Sequence, residues 1–205
     1  MTGPIIHRDI EQGTDAWHSL RAGKWSASKA AIIMGGMDTA GLKSLIKDVA
    51  WERVHGATGG GFKSAAMERG NELEPESRDW YAFEKGVSVE QVGMVEHATI
   101  PDVSWSPDGL CGRGAIEAKN PEHRAFMEVQ RTGKIPSEYR WQCRWAMWVG
   151  ELEWMDFVVY HPAAGGIIIP CEVTDAEKQA MAERVAELEP LVAEWIEITN
   201  RKNVA

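Results

Sequence analysis

Apolar residues at Leu42, Leu45, Ile46, Val49 and Val54 follow helical spacing and predict a helix over Leu42–Val54. A second long helix is predicted over Ala65–Lys85, with Leu73, Trp80, Tyr81 and Phe83 among its apolar positions and Pro75 as a kink or restart point. Short helical segments are predicted at Asp15–Leu20 and from Ser26 or Ser28 to about Met34, where either serine can cap and Gly35-Gly36 ends the run. The pattern changes at Val87–His97, where Val87, Val89, Val92 and Val95 alternate loosely as in a strand. Two more strands are predicted at Val103–Leu110 and Ala115–Lys119. Pro121 suits the first turn of a helix, and Ser137–Val149 is a second helix carrying Trp141, Trp145 and Trp148 at helical spacing. Leu152–Tyr160 and Gly166–Cys171 read as strands. Thr174 with Glu177 forms a capping-box start for a last helix to about Ile198, interrupted near Pro190.

The predicted order is helices, three strands, helices, two strands and a helix, which is an α/β arrangement of a mixed sheet flanked by helices. At 205 residues the chain is long enough for one domain with a substantial core. The stretch Gly56–Gly61 is a glycine-rich loop without the G-K-[ST] ending of a phosphate loop. No apolar run approaches the roughly 20 residues that span a bilayer, and Met1–Ile10 lacks the layout of a signal peptide. A cytoplasmic protein is expected.

Charge sharpens the picture only when it is located. The net charge of −9 argues against a polyanionic substrate at first sight. Residues 151–200, however, hold 11 acidic and 2 basic residues, so the rest of the chain is neutral. Residues 113–144 carry 7 basic and 4 acidic side chains. The three cysteines, Cys111, Cys143 and Cys171, are scattered, and the six histidines form no ligand pair. A disulfide framework, a zinc ribbon and an iron–sulfur cluster are thereby disfavoured.

The chemistry concentrates in Ser106-Pro107-Asp108-Gly109 followed by Ile116-Glu117-Ala118-Lys119. On a strand, alternate residues share a face, so Glu117 and Lys119 point one way. If Asp108 starts the adjoining strand of a hairpin, its carboxylate meets Glu117. Two hard oxygen ligands beside an ammonium suit a Mg²⁺ site for phosphodiester hydrolysis. Taken singly, S-P-D-G is a common turn and E-x-K a common solvated edge; the combination and spacing carry the signal.

In this pattern the chain resembles the PD-(D/E)xK nuclease superfamily, and more narrowly the viral alkaline exonucleases typified by lambda exonuclease, the YqaJ-like recombinase family. The resemblance runs from about Gln12 to Trp195. It rests on Trp17-His18-Ser19-Leu20-Arg21 with Ser26-Ala27-Ser28, Arg69-Gly70 with Glu74, Ser106 to Leu110, Glu117-Ala118-Lys119, and Gln142 with Met147-Trp148-Val149. It implies a restriction-endonuclease-like fold in one nuclease domain over residues 1–205. Asp108, Glu117, the backbone carbonyl of Ala118 and Glu74 would hold two Mg²⁺ ions, with Mn²⁺ able to substitute. Glu72 and Glu76 are close rivals of Glu74 on the same segment. Lys119 would orient the attacking water as a protonated amine, and Gln142 would hydrogen-bond that water or Lys119. Arg21 and Ser28 would bind the 5′-terminal phosphate of DNA. Met67 falls where the family has an apolar wedge.

The implied activity is a Mg²⁺-dependent 5′→3′ exonuclease on double-stranded DNA ends, releasing mononucleotides and leaving a 3′ tail. The resemblance further implies a ring-shaped homotrimer, a single-strand annealing protein as partner, and the host cytoplasm for a phage- or prophage-encoded enzyme. A structure- or site-specific endonuclease of the same superfamily, and a non-catalytic DNA-end-binding module, are the rival readings.

Overall fold

The computed structural model describes residues 3–57 and 65–201. Eight strands form two four-stranded sheets, and seven α-helices surround them among the described residues. The first sheet has strands β1 (Ile5–His7), β2 (Trp25–Ser26), β3 (Met94–Glu96) and β4 (Val103–Trp105) in the order β1-β3-β4-β2. The second has β5 (Gly109–Cys111), β6 (Gly114–Lys119), β7 (Trp154–His161) and β8 (Gly165–Cys171) in sequence order. Each sheet mixes parallel and antiparallel pairs: β2 runs parallel to β4, and β6 parallel to β7. The parallel β6–β7 pair needs a crossover, supplied by α5 (His123–Thr132) and α6 (Ser137–Val149).

The sequence pattern anticipated one strand over Val103–Leu110. The chain instead leaves the first sheet after Trp105, turns through Ser106, Pro107 and Asp108, and enters the second sheet at Gly109. Pro107 offers no N–H to a ladder, so a break there costs no backbone bond. Gly109 is needed for packing rather than for a positive φ: a Cβ there would lie 2.2 Å from Val89 Cγ1. The strand expected over Val87–His97 shortens to β3, with Glu90 pairing Leu110 as an isolated bridge. β1 and β2 were not anticipated; both are too short to show alternation.

The helices begin where local chemistry allows. α1 (Asp15–Arg21) is capped by Thr14, and α3 (Ala40–His55) by Thr39, whose oxygen accepts from the Leu42 amide. The segment expected to be capped by Ser26 or Ser28 is a 3₁₀ turn followed by the one-turn α2 (Ala30–Ile33), and neither serine makes a side-chain cap. α4 (Ala65–Lys85) and α7 (Asp175–Arg201) each run through an internal proline. In α7 Thr174 and Glu177 exchange the reciprocal bonds of a capping box, at 2.8 and 3.2 Å. Met181, Val185, Leu188 and Val192 place its apolar stripe in the core. Of the glycine-rich loop Gly56–Gly61, the residues after Ala57 lie outside the described residues, as does the Met67 side chain.

The main core lies between the sheets, α2, α3, α6 and α7, and includes Trp25, Trp105, Trp145 and Trp148. A smaller cluster of Tyr81, Cys111, Ile116 and Val158 seals α4 to the other face of β6 and β7. Alternation along β6 thus divides its residues: Ala115 faces the main core, Ile116 faces α4. No described helix is long and apolar enough to cross a membrane.

Trp25 is fully buried, and its indole N–H donates to Glu189 at 2.6 Å. Glu189 also takes both Arg53 terminal nitrogens, joining β2, α3 and α7. Glu189→Ala strands the indole donor, a cost of about 1–3 kcal/mol, nearer the lower figure because Glu189 is partly exposed. Thermal unfolding should show a Tm lowered by roughly 2–8 °C, whereas Glu128→Ala, which breaks the exposed pair with Arg131, should leave Tm unchanged.

Candidate active site

The β5–β6 hairpin pairs Gly109 with Ile116, so Asp108, one step outside the last rung, stands opposite Glu117. The Asp108 carboxylate accepts the Ala118 amide at 2.7 Å. Glu117 is 1% exposed. Its Oε1 accepts from Lys119 Nζ at 2.5 Å and from Gln142 Nε2 on α6. Gln142 therefore engages Glu117 rather than Lys119, because α6 packs behind β6 on the face that Glu117 shares with Ala115. The Lys119 ammonium also lies 5.4 Å from the Tyr139 ring centroid.

Glu74 approaches from α4. Its carboxylate feels Asp108 and Lys119 and is bonded by Arg78 one turn on. Of its rivals, Glu72 is exposed and Glu76 accepts the Tyr160 hydroxyl at 2.6 Å. Arg78, absent from the expected set, also donates to the Asp108 carbonyl at 3.4 Å. The i,i+4 spacing from Glu74 is the signal that could have found it. Asn120, next to Lys119, ties the end of β6 to α4 by donating to the Gly70 carbonyl at 3.2 Å; only its position after the motif hinted at this. Asp108, Glu117, Ala118, Lys119, Gln142 and Glu74 thus converge on one end of the second sheet.

Arg21 and Ser28 lie apart from that cluster in sequence, on either side of β2. The Arg21 guanidinium stacks on Trp17, 4.1 Å from the ring centroid. Burial lowers its pKa, with Glu52 acting the other way. Ser28 is exposed, and its hydroxyl meets that of Ser26 at 3.2 Å. No hydrogen bond joins Arg21 to Ser28 among the described residues.

Burial and the neighbouring Asp108 charge push Glu117 from its ordinary 4.5 up to about 7, against the pull of Lys119. Glu74 is likewise raised, by burial and then by Asp108. Burial would lower Lys119, but Glu117 and Asp108 outweigh it and hold the amine protonated. Glu117 Oε2 is buried with no hydrogen-bond partner among the described residues. An orphaned carboxylate oxygen beside two other acidic groups fits a hard divalent cation, which would satisfy it and relieve the repulsion. Asp108, Glu117, Glu74 and the Ala118 carbonyl are the groups that would hold it.

The sequence profile of the YqaJ-like viral recombinase domain matches residues 16–153. The chain belongs to that family. An alkaline exonuclease, LHK-Exo from Laribacter hongkongensis, is 32% identical, with a TM-score of 0.84 over 93% of this chain and 98% of its own. The same protein in complex with dAMP matches equally. A phage-related exonuclease from Haemophilus somnus 129PT, at 14% identity and a TM-score of 0.66 over 89% of this chain and 99% of its own, shares the fold. No match is found among curated protein sequences. The fold is that of the restriction-endonuclease-like nucleases.

Two outcomes follow for the cation. At about 100 times its Kd, a divalent cation should stabilise the protein by about 2.7 kcal/mol, and Asp108→Ala should abolish that thermal shift. The raised Glu117 pKa also sets a sign. A carboxyl raised above its unfolded value stabilises below about 4.5, and that contribution is lost as pH rises through about 7. Below 7 the proton competes with the cation, so the cation-induced Tm shift should be larger at pH 8 than at pH 6.

Proposed function

We propose that this protein, as a single nuclease domain, is a Mg²⁺-dependent 5′→3′ exonuclease of double-stranded DNA ends. One observation carries the reading: the hairpin register sets Asp108 opposite Glu117, with Lys119 and Gln142 both bonded to the Glu117 carboxylate. Family membership and the likeness to LHK-Exo support it. Asp108, Glu117, Glu74 and the Ala118 carbonyl would hold two Mg²⁺ ions, with Mn²⁺ as a substitute. When bound, such ions polarise the scissile phosphate and make water more acidic.

The chain's own groups do the rest. Lys119, kept protonated by its acidic neighbours, donates to the water that attacks phosphorus in line and offsets charge on the phosphate oxygens. Gln142 fixes the Glu117 carboxylate so that the Oε2 face stays turned to the site. Lys119 also borders a cleft of about 460 Å³ walled by Val129, Ile135, Tyr139 and Phe157. Arg21, stiffened by its stack on Trp17, supplies a fork for a terminal 5′ phosphate, with Ser28 as a hydroxyl donor. Mononucleotides leave from the 5′ strand, and the 3′ tail feeds recombination. A homotrimeric ring, an annealing partner and a host-cytoplasmic setting belong to the same reading.

With Mg²⁺ and duplex labelled separately at each end, stepwise loss from 5′ ends with closed circular DNA intact is the expected result. Cutting of the circle would move the protein to the endonuclease branch; end binding without cutting would leave a binding module. Lys119→Ala should lower kcat by about two orders of magnitude or more while end binding persists. Arg21→Ala should slow cleavage of 5′-phosphorylated ends selectively; equal loss on 5′-hydroxyl ends would remove Arg21 from phosphate recognition.

A further inference from the structure

The turn that carries Asp108 belongs to neither sheet, so something else must hold it. Gln12 lies in the segment before α1, and its side-chain amide nitrogen donates to two backbone carbonyls, those of Val92 and Pro107, both at 2.8 Å. The Pro107 carbonyl belongs to the peptide unit that ends at the Asp108 nitrogen, and that plane is rigid. Holding its oxygen fixes the rotation of the unit from which Asp108 departs. The Val92 carbonyl gives the amide a second anchor on the segment leading into β3.

The Gln12 backbone is itself held. β1 pairs with β3, and the Gly93 amide donates to the His7 carbonyl at 2.8 Å. At Gly93 a Cβ would lie 2.3 Å from the Ile10 carbonyl oxygen, so the close approach of the Gln12 segment requires glycine there. Trp17, the residue on which Arg21 stacks, donates its indole N–H to the Gly93 carbonyl at 2.9 Å. Gln12 and Trp17 thus take adjacent carbonyls. The segment bearing Arg21 is fastened to Gly93 through Trp17, and the turn bearing Asp108 is fastened through Gln12 to the neighbouring Val92.

We propose that Gln12 is a positioning residue for the Asp108 carboxylate, acting through the Pro107 carbonyl and registering the α1 segment against the catalytic turn. Among the described residues, Asp108 is also tied by Arg78 on its carbonyl and by the Ala118 amide on its carboxylate. The second involves the carboxylate that a cation would also recruit, so the main-chain ties from Gln12 and Arg78 carry more of the placement when the site is loaded. This inference rests on Asp108 being a cation ligand, as proposed above.

Gln12→Met keeps the length and bulk of the side chain and removes both donors; Gln12→Glu sets a carboxylate against two carbonyl oxygens. The half-saturating Mg²⁺ concentration should rise about tenfold in Gln12→Met, the size typical of losing a group that orients a ligand. Its kcat should fall by about tenfold or more with KM for DNA ends little changed, and Gln12→Glu should be worse on both counts. A merely structural role would lower Tm without moving the Mg²⁺ midpoint. Asp108→Ala, run alongside, separates the two ideas. Loss of the Mg²⁺ response in Asp108→Ala, with an unshifted midpoint and unchanged kcat in folded Gln12→Met, overturns the Gln12 assignment alone. A Mg²⁺ response retained in Asp108→Ala overturns the reading on which it rests.

Discussion

The burial of the Glu117 carboxylate is the constraint around which the rest is arranged. A carboxylate taken out of water is costly unless paired and hydrogen-bonded. Here one oxygen is served by Lys119 and Gln142, and the other has no hydrogen-bond partner among the described residues. The pairing needs β6 to carry glutamate and lysine on one face, and α6 to pack close enough for Gln142 to reach. The tryptophans of α6 secure that packing: Trp145 and Trp148 lie in the main core, and the Trp145 indole donates to the Ser104 carbonyl at 3.2 Å.

The same burial explains the electrostatics. Three carboxyl groups, Asp108, Glu117 and Glu74, lie near enough to raise the pKa of two of them. Two cations, Arg78 and Lys119, offset the repulsion only in part. A site poised in this way gains when a further positive charge enters, and a proton, which also relieves the repulsion, competes with that charge. The protein accepts a locally unfavourable arrangement, and the apolar clusters on both faces of the second sheet hold it in position.

Much of this was legible in the residues. Helices α3, α4, α6 and α7 came from periodicity and capping chemistry, because a 3.6-residue repeat over a dozen or more positions is a strong local signal. The Thr174–Glu177 box was visible for the same reason. The two-residue alternation in Ile116–Lys119 was enough to assign Glu117 and Lys119 to one face. Short elements were not legible. β1 and β2 have three and two residues, too few for a pattern. The expected serine caps gave way to a 3₁₀ turn whose Ser26 and Ser28 hydroxyls meet each other instead.

The local order of the chain, by itself, determined which residues could share a face, where helices start, and that an aspartate precedes a Glu-x-Lys strand by nine positions. Only the tertiary structure decided which of these groups meet. The break of one predicted strand into two sheets at Ser106–Asp108, the choice among Glu72, Glu74 and Glu76, the direction of Gln142 and the reach of Gln12 depend on long-range packing. Contacts between residues dozens of positions apart leave no periodic trace in either partner, because each obeys only its own element's geometry. The carboxylates can be read along the chain; their convergence is set by the way two sheets and α4 close upon one corner.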